Sequence, residues 1–153
     1  MAVDLAGYGN PGKFLIARGW RVLGESKSRG TAACDGPNKT IWMNPLAFRS
    51  PNARVRKYVL PHEIWHAVHY EMNKYNVDSL VVARGMTRSG AIEAIADGSC
   101  LLMNKSRAMK LWVRASVAWH GKVGYKYSWA DVCSPEVAAV YSSMIELINE
   151  QNV

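Results

Sequence analysis

Cysteine is scarce in this chain, and its placement excludes two common kinds of site. Only three of the 153 residues are cysteines, namely Cys34, Cys100 and Cys133. Their wide spacing and odd number fit neither a disulfide framework nor a zinc site built from cysteines. Free thiols are typical of a reducing compartment, so we expect a cytoplasmic protein.

Long apolar segments and several well-known motifs are also missing. No apolar run approaches the roughly 20 residues that span a membrane, and Met1 to Pro11 lacks the basic start and apolar stretch of a secretory signal. We find no internal repeat, low-complexity tract, P-loop, zinc finger or RNA-binding motif. The 49% hydrophobic and 20% charged residues are ordinary for a globular protein, and we expect a single domain over residues 1–153.

Acidic residues are outnumbered by basic ones. The chain has 19 Lys and Arg against 12 Asp and Glu, which gives a net charge of +7, but the basic residues are dispersed. A solvated surface explains such a pattern. Attraction to an anionic partner, such as nucleic acid, an anionic cell wall or an acidic protein substrate, is the alternative that stays open.

The most informative segment that is present runs His62-Glu63-Ile64-Trp65-His66, an H-E-x-x-H. On a helix, residues four apart share a face, so both imidazoles can reach one metal ion. Glu63 follows the first ligand, and from there its carboxylate can lie beside the water that the metal activates. This is the position of the general base in metal-assisted hydrolysis. The motif therefore predicts a zinc-dependent hydrolase, with two solvated histidines on a surface helix as the alternative.

An acidic pair further along the chain can complete the site, since a catalytic zinc usually takes three protein ligands. Glu93 and Asp97 are four residues apart within Ala91 to Met103, an apolar-rich run with helical spacing. Carboxylates on an apolar helix are costly to bury unless they meet a cation or hydrogen-bond donors. We expect Glu93 to be the third ligand and Asp97 to accept the free N–H of His62 or His66. The alternative is that both acids face water.

Together these residues resemble the gluzincin group of zinc metallopeptidases. The resemblance rests on His62-Glu63-x-x-His66 followed by Glu93-x-x-Ala96-Asp97, and it covers roughly residues 39–103. The small size is similar to that of minimal zincin-like domains of bacteria and their phages. The resemblance implies a zincin-like fold, bound Zn2+, a peptide or protein substrate, and hydrolysis with Glu63 as general base. The metzincin pattern is disfavoured, because it requires Gly and His where this chain has His69 and Met72.

Further side chains are candidates around this site. A hydrogen-bond donor usually steadies the oxyanion in such reactions, and we name His120 as a catalytic residue on this ground. The other candidates for this donor are Tyr125, Tyr127, Tyr70 and Tyr75. His69 would lie about 10 Å along the helix from His62, too far to share one ion, so we expect it behind the ligands or on the surface.

The coarse pattern predicts an α+β fold, with a small antiparallel or mixed N-terminal sheet followed by active-site helices. Strands are expected at 20–24, 30–34 and 40–44, and the last could pair its edge with an extended peptide. Helices are expected at 12–18, 51–74, 89–103, 107–119 and from 134 onward, with 76–88 and 120–128 as loops. In 89–103 the expected core face is Ile92, Ile95, Leu102 and Met103.

Pro61 leaves two possibilities for the active-site helix. If the helix begins at Ser50 and Pro51, then Pro61 lies in its middle and should kink it. Alternatively, the helix begins at Pro61 itself.

Two other functions stay open. In the first, the zinc site is part of a regulatory or interaction module whose peptidase activity is weak or lost. An intact Glu63 argues against this, because a purely structural site does not need a base. The chain can also be a nucleic-acid-associated or cell-wall-directed metallohydrolase, which its positive charge permits. Peptidase families that act on DNA-bound proteins generally use a third histidine, whereas here Glu93 stands in the ligand position.

Overall fold

The structure is a computed structural model that describes residues 3–24, 32–44 and 55–151. The chain divides into two compact units, one formed by Met1–Lys74 with Leu147–Val153 and the other by Tyr75–Glu146. The fold is α+β, with a small mixed sheet on the N-terminal side followed by helices, as the sequence predicts. The single domain expected over residues 1–153 stays a prediction.

The first unit contains three strands, β1 (Arg21–Gly24), β2 (Ala32–Asp35) and β3 (Thr40–Met43). Their order is β1-β3-β2, with β3 parallel to β1 and antiparallel to β2. Among the described strands β3 is therefore central, which is why Ile41 and Met43 are buried. Because the backbone of a central strand is paired on both sides, the expectation that this strand offers a free edge to a peptide is wrong.

Helix α1 (Asn10–Ala17) leads into the sheet through a glycine turn. Gly19 has φ +86°, and the N–H groups of Gly19 and Trp20 bond back to carbonyls in the last turn of the helix. This is a Schellman motif, which favours glycine because left-handed backbone is not strained there. Trp20, directly after the turn, is 4% exposed and donates from Nε1 to Glu71 at 2.6 Å.

Helix α2 (Leu60–Asn73) carries the H-E-x-x-H motif. It begins one residue before Pro61 and follows a π-helical segment, Val55–Val59. Proline lacks an N–H and crowds the carbonyl four residues back, so it is tolerated best in a first turn. The second possibility, a start at Pro61, thus agrees with the structure to within one residue, and a start at Ser50 and Pro51 lies outside the described residues.

Helix α2 is buried along most of its length. Every residue from His62 to His69 is buried, and the helix packs against α1, β2 and β3. It ends at Lys74 and Tyr75, which both adopt left-handed backbone with φ of 55° and 62°. Polar side chains on such a helix have little access to bulk water, so their burial is costly without specific partners.

The second unit is helical, and side-chain caps set several of its helix starts. Thr87, Ser106 and Ser134 each accept a backbone N–H from the first turn that follows them. The helices are α3 (Asp78–Arg84), α4 (Arg88–Met103), α5 (Arg107–Lys122), α6 (Trp129–Val132) and α7 (Pro135–Gln151), of which the last continues into residues assigned to the first unit.

Two loop predictions in this unit are wrong. The stretch 76–88 contains α3, whose end is set by Gly85 with φ +66°. The stretch 120–128 begins inside α5, because Gly121 does not stop the helix and the left-handed residue comes later, at Gly124 with φ +93°. An isolated glycine only weakens a helix, whereas a glycine with positive φ ends it.

Helix α4 packs closely because its buried face consists of small residues. A Cβ on Gly90 would collide with the carbonyl oxygen of Lys126, and one on Gly98 would meet the carbonyl oxygen of Val132. The predicted core face is correct for Ile95, but Ile92 is only half-buried and Leu102 and Met103 are 36% and 49% exposed. Gly90 and Gly98, rather than the large apolar residues, therefore let the segment at Lys126 and helix α6 approach α4 closely.

An ion pair connects α3 to α6 in the second unit. Arg84 donates from Nε to Asp131 Oδ1 at 2.7 Å, and its Nη1 lies 3.4 Å from Glu136 Oε2. Burial opposes the charged form of Asp131, but hydrogen bonds from Arg84 and Ser128 outweigh it and lower the pKa of Asp131. A lowered folded-state pKa contributes stability that is present above the ordinary aspartate value and is lost as the pH falls through the folded-state value.

We expect Asp131→Asn to lower the free energy of unfolding at neutral pH by about 1.5–3 kcal/mol, the range for lost hydrogen bonds to a charged group. The loss should shrink below about pH 4, because the wild-type carboxylate is then increasingly protonated as well. Urea unfolding between about pH 7 and pH 2.5 measures both effects. Asp78→Asn, the same change at an exposed position, should cost under about 0.5 kcal/mol. A mutant deficit that stays constant over this pH range would contradict the pairing.

Candidate metal centre

Two histidines of α2 face each other across one helical turn. His62 Nε2 lies 3.0 Å from His66 Nε2, and the ring centroids are 4.6 Å apart with an interplanar angle of 88°. Both side chains are buried, at 5% and 6% exposure. A spacing of four residues only brings two side chains to one face. Here the rings also turn so that the same nitrogen of each points to a common place.

This convergence fits a shared metal ion. With Zn–N bonds of about 2.05 Å in a tetrahedral site, two ligand nitrogens lie about 3.3 Å apart, close to the 3.0 Å between His62 and His66. Without an ion, the pair is satisfied when one nitrogen donates and the other accepts. If the two Nε2 atoms move slightly apart, a metal ion can take the place of the proton that they share.

Glu93 of α4 belongs to the same group of potential metal ligands. One donor atom each from His62, His66 and Glu93 lies within 4.8 Å of the other two, so the three residues form a possible metal-binding group. Two imidazole nitrogens and a carboxylate oxygen suit zinc, and they also suit iron or manganese. The three residues predicted as ligands are therefore brought together. Glu63, the predicted base, follows His62 on α2 and is 8% exposed.

Asp97, one turn after Glu93 on α4, is fully buried. Its carboxylate accepts the hydroxyl of Tyr127 at 2.7 Å and the hydroxyl of Ser116 at 3.2 Å. These donors offset the cost of burying a carboxylate. The alternative that Asp97 faces water is therefore wrong, and its expected contact with a ligand imidazole stays a prediction.

His120 joins this network from the last turn of α5. Its Nδ1 lies 2.8 Å from Tyr127 Oη and 3.3 Å from Ser116 Oγ, and its Nε2 lies 3.5 Å from Glu93 Oε2. Because both hydroxyls donate to Asp97, Nδ1 is left to donate its own N–H to their oxygens. Nε2 is then the atom directed towards the carboxylate of Glu93.

Two tyrosines hold His120 in this orientation. The ring of Tyr125 stacks on the imidazole, with centroids 5.3 Å apart and an interplanar angle of 11°. Burial, followed by the negative charge of Asp97, raises the pKa of Tyr127, so its hydroxyl keeps the proton that it donates. We refer to Asp97, Ser116, His120 and Tyr127 as the α4–α5 network.

The other sequence candidates have different surroundings. Tyr70 packs edge-on against Trp20 at 6.4 Å between centroids, and its ring occupies the space that a side chain at Gly36 would need. It is thus part of the packing of the first unit. His69 is 1% exposed, so its placement on the surface is wrong. A helix buried on several faces leaves no solvent side for it.

Ser116 is the member of the network that sequence reasoning missed. Its one signal is that it lies four residues before His120 and so shares a face of α5 with it. A single serine on a helix carries no chemical pattern of its own. Only the packing of α5 against α4 brings its hydroxyl to Asp97.

No protein-family model, curated protein or solved structure matches this chain. Among the helices of the described residues, none is long and apolar enough to cross a membrane.

Elemental analysis of the purified protein tests the ligand set. We expect one zinc per chain, its near-complete loss in His62→Ala, and an affinity at least about 100-fold lower in Glu93→Gln, since even an outer partner of a ligand is typically worth 10–100-fold. Glu150→Gln makes the same change at an exposed position and should bind zinc normally. Full zinc content in His62→Ala would show that the ligands are wrongly assigned.

Removal of one hydroxyl tests the α4–α5 network. Tyr127→Phe leaves the buried carboxylate of Asp97 with one donor fewer and should lower the free energy of unfolding by about 1.5–3 kcal/mol. Tyr125→Phe keeps the ring that stacks on His120 and should change it by under about 0.5 kcal/mol. Equal losses in the two variants, measured by urea unfolding, would mean that the Tyr127 hydroxyl does not carry the stabilisation.

Proposed function

We propose that this protein is a zinc-dependent peptidase that hydrolyses peptide bonds by attack of water, with Glu63 as general base, in a reducing, cytoplasmic setting. The observation that carries the proposal is the convergence of donor atoms from His62, His66 and Glu93 within 4.8 Å. The order of these residues along the chain, and its resemblance to the gluzincin pattern, supports the same function.

The ligand set suits the chemistry of such a site. When bound, zinc lowers the pKa of a coordinated water towards neutrality and polarises the carbonyl of the scissile bond. Two neutral imidazoles and one carboxylate cancel only half the charge of a divalent ion, so the site remains electrophilic. Three protein ligands also leave one tetrahedral position open. His62, His66 and Glu93 would therefore hold the ion without saturating it.

Glu63 supplies the base. It is next to a ligand in the chain but is not needed as a ligand, and its burial at 8% exposure keeps bulk water from competing for its carboxylate. A carboxylate in this position takes the proton of the attacking water and passes it to the leaving amine. A structural metal site has no use for such a group.

His120 is the best placed of the candidates for steadying the oxyanion. Tyr127 and Ser116 hold its Nδ1, and Tyr125 holds its ring, so Nε2 points to the Glu93 side of the centre. With Nδ1 donating to these hydroxyls, Nε2 carries a proton only in the doubly protonated imidazolium, and in that form the proton would lie beside the oxygen that becomes negative. One such preoriented donor is typically worth about 3–4 kcal/mol of transition-state stabilisation.

Glu63→Gln separates the base from the ligands. Its zinc content should equal that of the wild type, while hydrolysis of a quenched fluorescent peptide library should fall by at least about 100-fold. Glu146→Gln, at an exposed position of α7, should retain full activity. A Glu63→Gln protein that hydrolyses at the wild-type rate would refute the mechanism. Wild-type protein that holds zinc but cleaves no peptide would favour the regulatory module instead.

A further inference from the structure

A cleft of about 560 Å3 lies in the second unit, bounded by the end of α3 near Arg84 and by the segment from Gly121 to Asp131. Two of its lining residues also contact members of the α4–α5 network. The hydroxyl of Tyr127 bonds to Asp97, and the ring of Tyr125 stacks on His120. The cleft therefore shares a wall with the α4–α5 network.

The charge of the lining favours an anionic ligand. Asp131, the acidic residue of the lining, is already paired with Arg84 and bonded to Ser128. The ammonium of Lys126 has no carboxylate partner among the described residues. The charge of Arg84 is thus neutralised within the protein, whereas the ammonium of Lys126 is available to a bound molecule.

The backbone that carries Lys126 is held in place. Its N–H donates to Thr87 Oγ1 at 3.2 Å, and its carbonyl accepts the N–H of Thr87 at 3.4 Å. The same carbonyl lies so close to Gly90 that no side chain fits there. Thr87 is the cap of α4, the helix that bears Glu93, so the backbone from which the Lys126 side chain projects is anchored to that helix.

The cleft also has room beside this cation. A Cβ added to Gly121 would meet nothing within 4 Å, so this part of the lining carries no side chain and is open. Tyr125 is 36% exposed and presents a ring against which the methylene groups of a ligand can pack. Space, an aromatic surface and one unpaired cation together suit a flexible side chain that ends in a carboxylate.

We propose that this cleft binds an acidic side chain of the substrate, so that the enzyme prefers peptides with Glu or Asp near the scissile bond. The inference rests on the proposed peptidase function, because it takes the cleft to serve the site that contains Glu93 and His120. The binding preference itself depends only on the lining of the cleft and can be measured without catalysis.

The first arm of the test measures cleavage by the zinc-loaded full chain. Fluorescent hexapeptides that differ only in Glu or Lys at one position, scanned along the peptide, should show kcat/KM about fivefold higher for Glu at one position, the size expected of a partly exposed ion pair. Lys126→Glu should invert this preference. Lys122→Glu, an identical charge change at an exposed residue outside the lining, should keep it. Gly121→Leu should reduce it by filling the cleft.

The second arm measures binding of the same peptides to zinc-loaded Glu63→Gln by fluorescence polarisation, with Lys126→Glu or Lys122→Glu added. The Glu peptide should bind about fivefold tighter than the Lys peptide, and only Lys126→Glu should reverse this. Cleavage without an acidic preference, or equal effects of the two lysine changes, overturns the inference and leaves the peptidase proposal standing. An acidic binding preference without cleavage by the wild type supports the cleft assignment and overturns the peptidase proposal.

Discussion

The burial of two imidazoles one helical turn apart is the constraint on which the rest of this site depends. The sheet and α1 cover α2, so His62 and His66 have little access to water. Buried polar groups need partners, and the two Nε2 atoms lie 3.0 Å apart. A divalent cation can bind the lone pairs of both Nε2 atoms at once. A single proton shared between the two atoms satisfies them less well. The buried helix thus provides two of the three potential metal ligands.

The acidic residues of α4 likewise need polar partners. Glu93 brings a carboxylate oxygen to the histidine pair, and the buried carboxylate of Asp97 accepts hydroxyls from Ser116 and Tyr127. Glycines on α4 allow the backbone at Lys126 and at Val132 to approach this helix closely. Packing and polar chemistry therefore depend on each other in the second unit, since a larger side chain at Gly90 would displace the segment that leads to Tyr127.

The sequence predicts those features that depend on residues close to one another along the chain. Residues four apart on a helix share a face, so the pairs His62 with His66 and Glu93 with Asp97 can be recognised from spacing alone, and the strand ending at Met43 follows from its composition. The errors concern non-local order. That β3 lies between β1 and β2 depends on strand pairing, which no pattern within the strand encodes. Likewise, the bond from Ser116 to Asp97 exists only because two helices pack together.

Glycine is the other source of error. The sequence predicts a helix stop near Gly121, yet α5 runs through it to Lys122 because the backbone there remains helical. His120 consequently belongs to a rigid helical turn instead of a loop, and its ring direction is set by three neighbouring side chains. The same glycine has no side chain and leaves part of the adjoining cleft open. A residue that is expected to end a helix therefore provides open space in the cleft instead.

The central claim is that one zinc ion is held by residues of two helices, and the most direct test is a crystal structure of the zinc-supplemented protein with anomalous diffraction recorded on both sides of the zinc absorption edge. The account predicts a single zinc peak within about 2.0–2.2 Å of His62 Nε2, His66 Nε2 and a carboxylate oxygen of Glu93. A zinc peak at other residues, or none at these three in zinc-supplemented crystals, would contradict it.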